Sequence, residues 1–190
     1  MSSGLIAEFV SELKSITVME IDPAEVLERV TPVMKKMAKD TSWVRPEFYE
    51  ADEDQGFGIT ILNEEDDHSL LVEAICWLPG KGVAPHDHQT WGIVVGIDGV
   101  EINVDWDRMD DGGKLGFADL KKARETSVEH GVIVSFMPDD IHSVRNDAET
   151  TSLSLHVYGV TPSTLPRSEF DPINKTQKPC PQRKRTVAAE

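Results

Sequence analysis

From about residue 57 onward the chain is a succession of short β-rich runs, and this constrains its fold more than any other feature. The runs cover residues 58–62, 69–78, 91–97, 100–106, 132–136 and 152–160. Turn residues separate them: Pro79-Gly80-Lys81-Gly82, Asp98-Gly99 and the stretch 110–113. Gly and Pro punctuation between strands a few residues long is the grammar of a β-sandwich or barrel. Residues 1–50 read differently. Leu5, Phe9, Val10 and Leu13 recur at helical spacing, and Asp22-Pro23 reads as an N-cap followed by proline at the first helical position. The second helix runs through Val26, Leu27, Val30, Val33 and Met34, with Pro32 expected to weaken or kink it. The expected fold is therefore mainly β, with N-terminal helices (1–50) packed on a barrel (51–172) in a single domain, followed by a basic tail (173–190).

Composition narrows the functional classes. At 190 residues, 39% hydrophobic and 28% charged, the chain suits one globular domain. No apolar run approaches the roughly 20 residues of a membrane span, and the opening residues lack the pattern of a signal peptide. The expected residence is cytoplasmic. A formal charge of −15 argues against nucleic acid or an anionic membrane as partner. Two cysteines, Cys76 and Cys180, are too few and too far apart for a disulfide framework or a cysteine-rich zinc site. The tail carries five cations between Lys175 and Arg185 and is expected to be solvated and flexible.

The chemistry concentrates in three places. In Pro85-His86-Asp87-His88, residues two apart on a strand share a face, so two imidazoles project together as a pair of metal ligands. Gly80 precedes them in the pattern Gly-x5-His-x-His. Downstream, an apolar strand from Gly131 leads through Met137-Pro138 to Ile141-His142, with Asn146 four residues later. In Ser154-Leu155-His156-Val157-Tyr158, alternation sets Ser154, His156 and Tyr158 on one face and the apolar residues on the other. That polar row is either a solvent-facing edge or an inward relay aiming the Tyr158 phenol at a metal.

The two histidine segments resemble the two motifs of the cupins, whose fold is a double-stranded β-helix barrel. The second motif is imperfect here, with acidic residues in place of its glycine. Residues 89–93 contain no carboxylate, so a three-histidine site is expected rather than the usual three-histidine, one-glutamate set. Three nitrogen ligands suit iron(II), zinc, copper and nickel alike. Together, Cys76-Trp77, the Gly80–Gly82 turn, His86-Asp87-His88, Ile141-His142 and the Ser154-to-Tyr158 strand resemble the cysteine dioxygenase family, closest to its bacterial branch, which includes 3-mercaptopropionate dioxygenases. The resemblance spans roughly residues 57 to 171. It implies iron(II) held by His86, His88 and His142, a thiol bound through sulfur, and its oxidation by O2 to a sulfinate. It implies that Tyr158 hydrogen-bonds the bound ligand, with His156 and Ser154 orienting it.

Two departures matter. Gly92 or Ile93 stands where the mammalian enzymes have the cysteine that crosslinks to the tyrosine. The family's substrate-carboxylate anchor on the strand near residues 57–63 is also missing, with Thr60 and Leu62 the nearest positions by spacing. Arg167 is the candidate replacement, and Trp91, close behind the ligands, is a candidate pocket wall. Two other readings stay open: a different metal-dependent cupin oxygenase or lyase, and a non-catalytic cupin that binds a small ligand.

Overall fold

The computed structural model describes residues 2–19 and 22–188. Two helices, α1 (Ser2–Thr17) and α2 (Pro23–Lys39), precede twelve strands: β1 (Phe57–Glu64), β2 (Leu71–Trp77), β3 (Gly82–His86), β4 (Gly92–Asp98), β5 (Glu101–Arg108), β6 (Leu120–Val128), β7 (Ile133–Phe136), β8 (Ile141–Arg145), β9 (Ser152–Tyr158), β10 (Ser168–Asp171), β11 (Thr176–Pro179) and β12 (Thr186–Val187). Asp22 caps α2, its carboxylate accepting from the Ala24 and Glu25 amides at 2.9 and 3.1 Å. The helix continues through Pro32. Val26, Leu27, Val30, Val33, Met34 and Met37 form a continuous buried stripe on both sides of it, and that packing outweighs the local defect.

The strands form two six-stranded sheets, ordered β12-β1-β2-β9-β4-β7 and β11-β10-β3-β8-β5-β6. From β2 to β5 the chain passes back and forth between the sheets. After the β5–β6 hairpin it retraces its path: β7 pairs with β4, β8 lies between β3 and β5, and β9 lies between β2 and β4. Two antiparallel ribbons wound together in this way make a double-stranded β-helix, the cupin fold.

The first sheet is buried on both faces, which is why β2 and β9 are buried at every position. Its outer face carries Val72, Ala74, Cys76, Ile93, Val95, Leu153, Leu155 and Val157 against the helices. Its inner face looks across at the second sheet. Burying each such aliphatic side chain contributes roughly 1.5–3 kcal/mol before entropy is counted. This packing decides the orientation of β9: with its apolar residues under the helices, its polar row must face the barrel interior. The solvent-facing alternative is excluded.

The tail differs from the flexible terminus expected of it. β11 pairs with β10, and β12 lies parallel to β1, with Thr60 opposite Thr186. The cause is electrostatic. Lys175 meets Asp119 at 2.8 Å, Lys178 and Arg183 meet Glu169 at 2.9 and 3.0 Å, Lys184 meets Asp52, and Arg185 meets Glu73 at 3.5 Å. A basic segment in a strongly acidic chain folds back onto the body and crosses the barrel mouth as a strap.

Candidate metal centre and its pocket

His86 ends β3 and His142 stands opposite it on β8. His88 follows two residues later, outside the strand, where Asp87 pins the loop. The Asp87 amide donates to the Ser168 carbonyl at 3.2 Å, and its carboxylate accepts from the Ser168 amide at 2.9 Å. The three imidazoles thus converge, each offering a ring nitrogen within 4.8 Å of the others. His88 and His142 are buried and His86 half-buried.

The hydrogen bonds behind the rings test whether this cluster suits a cation. His86 Nδ1 donates to the Ala84 carbonyl at 2.9 Å, leaving an Nε2 lone pair. His142 Nδ1 lies 2.7 Å from Asn103 Oδ1. Asn103 is itself oriented by Nδ2 donating to Asp105 at 2.7 Å, so His142 must donate and its Nε2 also carries a lone pair. His88 Nε2 and His142 Nε2 lie 2.9 Å apart. Two nitrogens bound at right angles, each about 2.1 Å from a shared ion, would stand about 3.0 Å apart. The donors therefore fit a metal. On its other side His88 Nδ1 accepts from Arg167 Nη1 at 3.3 Å. A cation on Nε2 would put the proton on Nδ1 and displace that contact.

Burial first, then the neighbouring charges of Arg167 and Arg183, lowers the His86 pKa to about 4. Burial and mutual repulsion hold His88 and His142 well below the usual histidine range. All three are neutral near pH 7, the state that binds metals.

A cavity of about 90 Å³ opens beside the histidines, several times the roughly 10–15 Å³ that one water requires. Its walls come from β1, β2, β3, β8 and β9, and its roof from the segment after β9 and from the strap. Tyr158 and His156 line it, with the Tyr158 ring 4.9 Å from that of His88. Behind the phenol runs a buried chain: Tyr158 OH to His156 Nδ1 at 3.0 Å, His156 Nε2 to Ser154 Oγ at 2.9 Å. Burial lowers the His156 pKa to about 3 and raises that of Tyr158. Arg167 lines the cavity, and its Nη2 donates to Cys180 Sγ at 3.0 Å. With Arg183 and Arg185 it sets three guanidinium groups around the cavity against one lining carboxylate, Glu73.

Three candidates lie elsewhere. On β1 the cavity-facing position is Ile59, beside Phe57. Thr60 faces away, its hydroxyl 3.3 Å from that of Thr186, and Leu62 packs under the helices. Trp91 belongs to the same helix-covered core, pressed so closely on Gly159 that a Cβ there would meet the indole at 2.2 Å. None of the three touches the cavity. Sequence reasoning missed Glu73, Glu101, Arg183 and Arg185. Glu73 left a signal, a carboxylate midway along an apolar strand. It is buried, which raises its pKa to about 7 despite Arg185.

No protein-family model matches the chain. Among solved structures it is similar to an oxalate oxidase in complex with the substrate analogue glycolate (16% identity over 58% of this chain and 54% of that one, TM-score 0.46). It is also similar to an uncharacterized conserved protein with a double-stranded β-helix domain from Klebsiella pneumoniae (14% identity, 69% and 93% covered, TM-score 0.48). A third likeness is to the cupin domain of an XRE family transcriptional regulator from Enterobacter cloacae (17% identity, 56% and 99% covered, TM-score 0.40). The match spans about half the length of the oxalate oxidase. Strand order and side-chain geometry make the chain a double-stranded β-helix of the cupin type, with a buried cluster of three histidines able to hold a metal ion.

Proposed function

We propose that this protein is an iron(II)-dependent dioxygenase that converts a small, acid-bearing thiol and O2 to a sulfinate. One observation carries the reading: the Tyr158 phenol, backed by His156 and Ser154, stands beside an all-histidine cluster. Neutral ligands leave a divalent ion its full charge, which favours a thiolate. The bound iron would supply the redox chemistry between dioxygen and sulfur. The chain's own residues do the rest. Arg167 lies at the cavity edge, in contact with His88 and Cys180 rather than with a carboxylate, and serves as anchor for the acid group of the substrate. Ile59, Ile75 and Val144 exclude water from around the reacting atoms. Tyr158 holds or releases a proton at its phenol oxygen. With Ile59 facing the cavity where the resembling family has an anchor, cysteine is expected to be a poor substrate.

The test is metal analysis of the purified protein, then oxygen uptake across thiols with and without a carboxylate, with mass spectrometry of the product. One iron per chain and a product heavier by two oxygen atoms are expected. A chain that binds no iron, or that takes up no oxygen with any thiol when iron-loaded, would overturn the reading.

A further inference from the structure

We propose that Glu101 is the terminal proton acceptor of this site, taking up through Ser154, His156 and Tyr158 the proton that a ligand loses on binding beside the phenol. Glu101 opens β5, on the far side of the relay from the cavity. Ser154 Oγ donates to Glu101 Oε2 at 2.9 Å, which extends the chain behind Tyr158 by one group. Glu101, Ser154, His156 and Tyr158 are 2%, 0%, 3% and 4% exposed, so the four form a single dry path from the cavity into the protein. Among the described residues no lysine or arginine pairs with Glu101. A buried carboxylate without a cation is poorly stabilised, and burial raises its pKa to about 7. The Trp77 indole N–H favours its charged form without reaching hydrogen-bond geometry. The other ionisable groups around the path are His86, His88 and His142, which interact with His156, and Glu73, Arg167 and Arg185, which act on Tyr158, whose ring also lies 4.9 Å from that of His88; Val128 stands opposite Glu101 on β6.

The four groups allow two consistent arrangements. With Glu101 ionised, Ser154 donates to Glu101, His156 Nε2–H donates to Ser154, and Tyr158 donates to His156 Nδ1. The phenol oxygen then offers the cavity only lone pairs. When a thiol gives its proton to that oxygen, the phenol proton passes to His156 Nδ1. The Nε2 proton passes to Ser154, and the Ser154 proton to Glu101. Each O–H or N–H bond broken is replaced by one formed a place further on, and nothing is oxidised. The chain ends with a thiolate in the cavity, a neutral Glu101 and a phenol free to donate. Glu101 thus acts through its neighbours, as a positioning residue for the tyrosine proton. The identity of the ligand as a thiol rests on the function proposed above; the relay does not.

The tautomer of His156 reads the arrangement directly. In the metal-free 190-residue chain with ¹⁵N-labelled histidine, the His156 proton is expected on Nδ1 below about pH 7 and on Nε2 above it. Glu101→Gln, which cannot titrate, should abolish the exchange. Ser154→Ala should do so with Glu101 intact, which keeps the test alive if the first variant fails to fold. With iron and a thiol, oxygen uptake should rise with pH through about 7 in the unmodified protein and lose that limb in Glu101→Gln. A His156 tautomer that ignores pH, or that still exchanges in Glu101→Gln, would overturn the proposal even if thiols are turned over. A tautomer exchange in a protein that oxidises no thiol would support the relay and overturn the function.

Discussion

Replacing Gly92 with alanine should damage the histidine cluster without altering any histidine. A Cβ built on Gly92 falls 2.0 Å from Phe136 Cε2 and 2.6 Å from Cζ, whereas ordinary contact begins at 3.4 Å. The ring therefore has to retreat by about 1.4 Å, the difference between those two distances. It has little room to do so. Phe136 is 4% exposed, stacked on His88 with centroids 4.7 Å apart and planes 14° apart, and 4.4 Å from the His142 ring. The added methyl group is passed on to two of the three imidazoles. Overpacking a filled core costs about 1–3 kcal/mol, and misplacing groups that orient metal ligands typically costs about 10–100-fold in affinity. Urea unfolding of metal-free protein should show a loss of about 2 kcal/mol. Iron(II) titration should show affinity falling at least about 10-fold. Phe136→Leu in the same background makes room and should recover part of the affinity. Unchanged stability and unchanged iron affinity in Gly92→Ala would refute the reasoning.

Three further outcomes are expected. Tyr158→Phe should keep metal and fold but lose about 10²–10⁴-fold in kcat for thiol oxidation, the scale of one proton-transfer group; oxygen uptake at the unmodified rate would make the relay merely structural. Arg167→Ala should raise KM for a carboxylate thiol by about 10–100-fold, the worth of a hydrogen bond to a charged group, and leave KM for an uncharged thiol unchanged; equal effects on both would remove Arg167 as anchor. Glu101→Gln should change the pH dependence of stability. Because the folded pKa is raised from 4.5 to about 7, the stabilisation of wild-type Glu101 is complete below 4.5 and lost as pH rises through about 7. Measured by urea unfolding, the variant should therefore gain on the unmodified protein by up to about 3 kcal/mol across that window, and a constant difference would contradict it.

The histidine trio and the inward polar row were legible because each is a local pattern. His-x-His holds two of the clustered histidines on one short segment, and the alternation of β9 is sharp because one face carries Leu153, Leu155 and Val157. On β1 the same logic fails. Both faces of its sheet are covered, so Gly58 to Leu62 show no clear contrast, and a slip of one residue turns Thr60 and Leu62 inward when Ile59 holds that place. β6 went unread for the opposite reason: at the edge of its sheet and mostly exposed, it has no apolar face to alternate against. The tail was misjudged because its cations find carboxylates far away in sequence, which no local window reveals.

The strap that crosses the barrel mouth separates two properties usually entangled in one site. The three clustered histidines and Tyr158 stand on or beside β3, β8 and β9, whose pairing is fixed by the packing of both sheets. Cys180, Gln182, Arg183 and Arg185 reach the cavity from a segment held by ion pairs and short edge pairings. Substitutions there leave the aliphatic layers intact, so under the function proposed above the choice of substrate is open to change at small thermodynamic risk. A designer, or natural variation, can exchange residues 176–187 as an interchangeable cover and retune what the cavity admits while the histidines beneath stay in place.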